Sequence, residues 1–192
     1  RRALRVGRGG ALSQKVGADL VHSQVARAAW LIEATLHTSE DDRFAPLGAI
    51  VYQLADAFRS HVSLIGLQLE CSVSGSAAVW KVPEHPVSAA ITGAVFATLS
   101  FLEGASNPRI EVHAEAAHGR TLKIEVVQRS VRVPPGAGND LASSLVSDVI
   151  PALALRLART VAAPHGGTAE LTALPGAGSV LQLTFVNAQV AG

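Results

Sequence analysis

Few side chains in this 192-residue sequence are placed to do chemistry, and histidines lead them. His22 lies in Asp19-Leu20-Val21-His22-Ser23-Gln24, inside a helical pattern. An imidazole exposed on a helix is a nucleophile able to carry a phosphoryl group. His37, His61, His85, His113, His118 and His165 are scattered without metal-ligand spacing. Glu40-Asp41-Asp42 is simplest as a solvated loop, so no metal site is expected. Cys71 is the sole cysteine, which excludes an internal disulfide; its strand-like surroundings predict a small buried thiol. His165 stands before two glycines, as a helix C-cap does, where a cation suits the helix dipole.

The elements that must position these groups are legible in the apolar spacing. Residues 1–10 are basic, Gly-rich and without periodicity, a flexible N-terminus; Arg1, Arg2, Arg5 and Arg8 form a solvated end. Leu12, Val16, Leu20, Val25, Ala28, Ile32 and Leu36 then lay one apolar stripe along a helix of roughly seven turns. Pro46 opens a second helix with Leu47, Val51, Leu54, Phe58 and Val62 on one face. Residues 11–65 are therefore expected to form a bundle-forming helical hairpin. Alternation of period two follows at 67–73, with a short second strand expected at 77–82. Helical spacing returns at 87–103. Strands are expected at 109–114 and 121–127, a Pro/Gly loop at 133–139, and a last helix marked by Leu145, Val149, Leu153, Leu157 and Val161. Residues 66–192 thus make an α+β unit, a two-layer α/β sandwich with helices on one face of an antiparallel or mixed sheet.

Composition bounds the partners. With 48% hydrophobic residues but only 4% aromatic, the core must be built from Ala, Val, Leu and Ile. The net charge of +1 argues against a nucleic-acid surface. No stretch is long and charge-free enough to span a bilayer, and no signal-peptide core is seen at the N-terminus, so the expected compartment is the cytoplasm.

The C-terminal run LALRLARTVAAPHGGTAELTALPGAGSVLQLTF joins an apolar helix, His165-Gly166-Gly167, a strand at 168–172, a Pro175-Gly176-Ala177-Gly178-Ser179 turn and a strand at 180–185. It resembles the end of the ATP-binding domain of sensor histidine kinases, with its AHGG helix terminus and PGxGS hairpin. That family belongs to the ATPase superfamily that also includes gyrase. The resemblance extends over roughly residues 12–187 and supplies a register for three ligand motifs.

Each motif departs from the family pattern. The Mg²⁺-binding Asn falls near Thr98-Leu99-Ser100, where Leu99 cannot ligate a metal and Thr98 or Ser100 offers only a weak oxygen. The D-x-G-x-G-I-P motif falls on Gln128-Arg129-Ser130-Val131-Arg132-Val133-Pro134. Gln128 replaces the adenine-binding Asp, and Ser130 and Arg132 replace the glycines that let backbone approach the nucleotide. The G-x-G whose amides would cradle phosphate falls on Ala152-Leu153-Ala154. The lid position, 134–138, is neutral and lacks a phosphate-binding Lys or Arg. The family's acceptor motif, His-Glu/Asp-x-x-x-Pro, is also broken: Ser23 follows His22, and Arg27 stands where Pro is expected.

The resemblance implies a two-component signalling protein whose core has lost ATP binding, with no cofactor and no metal. It acts as a dimeric docking or regulatory module. The stripe over 12–36 cannot be buried by one partner helix alone, which implies a homodimer. The implied partner is a response-regulator receiver domain or another histidine kinase. The alternatives are a histidine phosphotransferase using His22 and an active ATP-dependent sensor histidine kinase.

Overall fold

Strand alternation in the middle of the chain sets the architecture. The computed structural model describes residues 43–64, 66–102, 105–117, 120–133, 149–175 and 178–186. Strands β4 (Arg109–Ala117) and β5 (Thr121–Gln128) bury Ile110, Val112, Ala114, Leu122, Ile124 and Val126 on one face. With β2 (Gln68–Val73), β6 (Thr168–Ala173) and β7 (Ser179–Phe185) they form a five-stranded sheet in the order β2-β4-β5-β7-β6. β2 pairs parallel with β4, and every other pairing is antiparallel. The opposite face is charged. Arg109 meets Glu70 at 2.7 Å and Glu111 at 3.2 Å; Lys123 meets Glu125 at 2.8 Å and Glu115 at 3.4 Å. The hydrogen bond to Glu125 raises the Lys123 pKa. Such exposed pairs each contribute roughly 0–1 kcal/mol, so they keep this face wet more than they hold the fold together.

Three helices cover the apolar face: α1 (Leu47–Leu64), α3 (Glu84–Leu99) and α4 (Val149–Ala162). The layering is the α+β sandwich that the sequence predicts. α3 lies at its centre and is buried from Ala89 through Leu99. Gly93 allows its close approach to α4: a Cβ there would come 2.5 Å from the Ala154 carbonyl and 3.3 Å from the Ala158 amide.

Two expectations are corrected. The stripe of α1 was expected in the helical hairpin, but Leu47, Ile50, Val51 and Phe58 join the sandwich core, and Phe58 packs edge-on against Phe96 with centroids 5.5 Å apart. An apolar stripe of helical period fits a sheet as well as a helix, so periodicity alone does not choose the partner. A short strand β1 (Phe44–Pro46) before α1 also pairs antiparallel with β3 (Lys81–Pro83). The strand expected at 77–82 is a short helix α2 (Gly75–Ala78) followed by β3. The Ser74 carbonyl takes the amides of Ala77 and Ala78, both at 2.9 Å, and closes a turn that alanine tolerates well. The basic N-terminus, the helix expected at 12–36 and the loop at 134–139 lie outside the described residues.

The two glycines of His165-Gly166-Gly167 do different work. Gly166, with φ 65°, is the left-handed cap after the 3₁₀ turn Ala163–His165, and its amide bonds the Ala163 carbonyl at 3.0 Å. Gly167 passes against β7, where a Cβ would run into the Thr184 carbonyl. Among the described residues, no helix is long and apolar enough to cross a membrane.

If α3 and α4 owe their spacing to a missing side chain, Gly93→Ala should lower the unfolding free energy by about 2 kcal/mol, the usual scale for overpacking. Urea denaturation checks this; an unchanged midpoint would contradict it.

Candidate functional site

The site expected to differ most from a nucleotide pocket lies where β5 ends. Gln128 is the last residue of β5, paired with Ile110 on one side and Ser179 on the other. Its side chain is fully buried. Nε2 donates to the Val131 carbonyl at 2.8 Å and to Ser179 Oγ at 3.2 Å. Oε1 accepts the Ser130 and Val131 amides, both at 3.0 Å. A glutamine amide has two donor hydrogens and two acceptor lone pairs, and all four are engaged within the protein. The backbone therefore turns back on the side chain, Val131 packs against the core, and Val133 is buried. Arg132 points to solvent and forms an isolated bridge with Gly178. Gly178, with φ 120°, presses onto the Gln128 carbonyl so closely that a Cβ would run into it. Gly178 and Ser179 thus close the same corner from the other side.

The other two positions are also engaged internally. Thr98 is fully buried, and its Oγ1 donates to the Ala94 carbonyl one turn back, at 2.8 Å. Leu99 is a core residue, and Ser100 opens a 3₁₀ turn, Ser100–Leu102. A hard cation needs several converging oxygens, and the Thr98 hydroxyl is already bonded within its own helix. Ala152 and Ala154 lie within α4, not in a loop before it. Ala154 is the sixth residue of that helix, so its amide is used in the helical ladder and is not free to meet an anion. Ala154 is fully buried under Gly93, while Leu153 between the two alanines is exposed.

The fold thus brings Gln128, Ser130 and Arg132 together with the 178–179 corner. It brings Leu99 and Ala154 into one core, with Thr98 buried beside Leu99. His22, His37, His118, Glu40-Asp41-Asp42 and the lid at 134–138 lie outside the described residues, as does the His61 side chain. His165 is the last residue of the 3₁₀ turn after α4, and Gly166, one residue beyond, is the C-cap expected at His165.

Sequence spacing did not single out two partnerships. Ser179 is the side-chain partner of Gln128; its place in the PGxGS turn was visible, but not its register against β5. Ser72 Oγ lies 2.6 Å from His113 Nδ1, and His113 Nε2 lies 3.3 Å from Glu111 Oε2. Pairing of β2 with β4 creates this line. It lies on the solvent face of the sheet, and Glu111 also contacts Arg109 and Arg129 there. Among the described residues, no group of three His, Cys, Asp or Glu side chains is arranged to hold a metal.

No protein-family model and no curated protein matches this chain. Solved structures do match. The catalytic domain of histidine kinase ThkA, in a nucleotide-free form, superposes with a TM-score of 0.62 at 12% identity, covering 77% of this chain and 96% of that one. ThkA in complex with response regulator protein TrrA matches with a TM-score of 0.64 at 12% identity over 94% of this chain and 52% of that one. Full-length ShkA in complex with AMPPNP matches with a TM-score of 0.67 at 16% identity, over all of this chain and 41% of that one. The fold is that of the histidine kinase catalytic domain.

Two outcomes follow. Gln128→Ala strands two amides and a carbonyl and should cost about 2 kcal/mol; Gln128→Glu, which cannot donate to Val131 when ionised, should not restore it. Chemical denaturation reads both. Burial pushes the Cys71 thiol up to about 11. The unfolded chain then loses this proton first, so Cys71 contributes a loss of stability as pH rises from the ordinary thiol value toward 11. Iodoacetamide at pH 9 should modify Cys71 roughly tenfold or more slowly in the folded chain than in urea, since the thiolate is the reactive form.

Proposed function

We propose that this chain is a two-component signalling protein whose histidine-kinase-like core does not bind ATP and serves as a docking or regulatory module. One observation carries the reading. Gln128, at the position that the family gives to its adenine-binding Asp, has its whole hydrogen-bonding capacity engaged by Val131, Ser130 and Ser179. The helical Ala152 and Ala154, and Thr98 bonded to its own helix, support the same conclusion at the phosphate and metal positions.

The core then begins near residue 43, since β1 and α1 are part of the sandwich. Residues 11–42 are left to supply the dimer contacts, through the stripe from Leu12 to Leu36. A homodimer built this way would present its helices to a response-regulator receiver domain or to a partner histidine kinase. The ThkA–TrrA complex, in a protein of the same fold, favours the receiver domain.

A thermal-shift titration with ATP·Mg²⁺ tests the reading. A ligand at a hundred times its Kd stabilises by about 2.7 kcal/mol, so millimolar nucleotide that leaves the transition unmoved is the expected result. A saturable rise would overturn it. Incubation with a phosphorylated receiver domain tests the phosphotransferase alternative: acid-labile phosphate on the wild type, absent from His22→Ala, would make His22 the acceptor.

A further inference from the structure

Ser72, His113 and Glu111, which the corner around Gln128 does not use, stand in one line on the open face of the sheet. Pairing of β2 with β4 sets Ser72 beside His113, and Ser72 Oγ lies 2.6 Å from His113 Nδ1. Two residues back along β4 the side chain returns to the same face, and there Glu111 Oε2 lies 3.3 Å from His113 Nε2. Glu111 is only 18% exposed, so this contact is partly shielded from water. A carboxylate only accepts, so it selects the ring tautomer that carries its hydrogen on Nε2. Nδ1 is then an acceptor, and the Ser72 hydroxyl donates to it. A hydroxyl that donates to a neutral imidazole, itself oriented by a carboxylate, is an activated nucleophile.

We propose that Ser72 is a covalent modification site that takes an acyl group from small, uncharged activated carboxylic esters or thioesters. Ser72 Oγ attacks the carbonyl carbon while His113 Nδ1 takes the hydroxyl proton. The tetrahedral intermediate expels the alcohol or thiol, which leaves with that proton, and an ester on Ser72 remains. His113 is the base, and Glu111 is a positioning residue. Glu125 is the cross-strand partner of His113 on β5, so carboxylates on two strands favour the imidazolium that forms during the attack. The charges nearby are largely paired: Glu70 and Glu111 with Arg109, and Glu125 with Lys123. They leave little net field to draw in an ionic donor, which is why an uncharged one fits. Ser72 is exposed, and an open sheet face gives a donor access without enclosing it. That suits a single covalent transfer more than repeated turnover. The line lies across the sheet from the covering helices, and its chemistry does not depend on whether nucleotide binds.

The test treats the full chain with p-nitrophenyl acetate, in a Cys71→Ala background that removes the neighbouring thiol, and maps the acetyl groups by peptide mass spectrometry. Ser72 should be acetylated on the order of a hundredfold faster than the exposed Ser76 of α2, the lower end of what a positioned general base supplies. His113→Gln, which cannot take the proton, should bring Ser72 down to the rate of Ser76. Glu111→Ala should slow the reaction, and Glu111→Gln, whose amide oxygen still accepts from Nε2, should restore most of the loss. Rates are compared among variants that share the melting temperature of the background. Equal acetylation of Ser72 and Ser76 would overturn the inference, and so would a rate at Ser72 that His113→Gln leaves unchanged.

Discussion

The side-chain amide of Gln128 is the point on which the altered site turns. It ties the end of β5 to the turn that follows and to the start of β7 in one buried cluster. A carboxylate there would accept the same two amides but would leave the Val131 carbonyl without a donor. A buried carbonyl without a partner costs on the order of 1–3 kcal/mol, so the amide and the closed turn require each other. Gly178 completes the arrangement, because only a residue without Cβ can lie against the Gln128 carbonyl.

The same substitution of purpose recurs at the helices. In a nucleotide-binding domain of this fold, the helix before β4 and the start of the last helix would turn polar groups toward ligand. In this chain Thr98 bonds back into its own helix, and Ala154 packs under Gly93. Removing side chains from one helix face draws the partner helix in. α3 and α4 therefore meet in close interior packing at these positions. The sheet beneath them needs nothing from the ligand, since Ile110, Leu122, Ile124, Leu181 and Leu183 are fully buried without it.

Much of the sandwich was legible because the period-two pattern is clean over 67–73, 109–127 and 180–185. The His165-Gly166-Gly167 and PGxGS features fixed the register. The structure gives both a steric cause in Gly167 and Gly178, which touch backbone where no side chain fits. The place of α1 was not legible, since Leu47, Val51, Leu54 and Phe58 make the same stripe whether the partner is a bundle or a sheet. Nor was α2, where Ala77 and Ala78 carry no pattern strong enough to separate strand from turn. At the site, residue types marked where the chain departs from the family pattern, but not what those residues contact instead. That Gln128 bonds Ser179, 51 positions away, depends on the register of β5 against β7. The Ser72–His113 contact likewise depends on β2 pairing parallel with β4. Long-range pairing is a property of topology, which local spacing does not encode.

The most direct measurement is the ¹⁵N resonance of the Gln128 side-chain amide, assigned by comparison with Gln128→Glu and followed through a titration with ATP·Mg²⁺. An amide locked onto Val131 and Ser179 should hold its position, with slow solvent exchange, at every nucleotide concentration. A saturable shift with faster exchange would mean that the corner opens to take the adenine, contradicting the proposal that protein groups have replaced the ligand there.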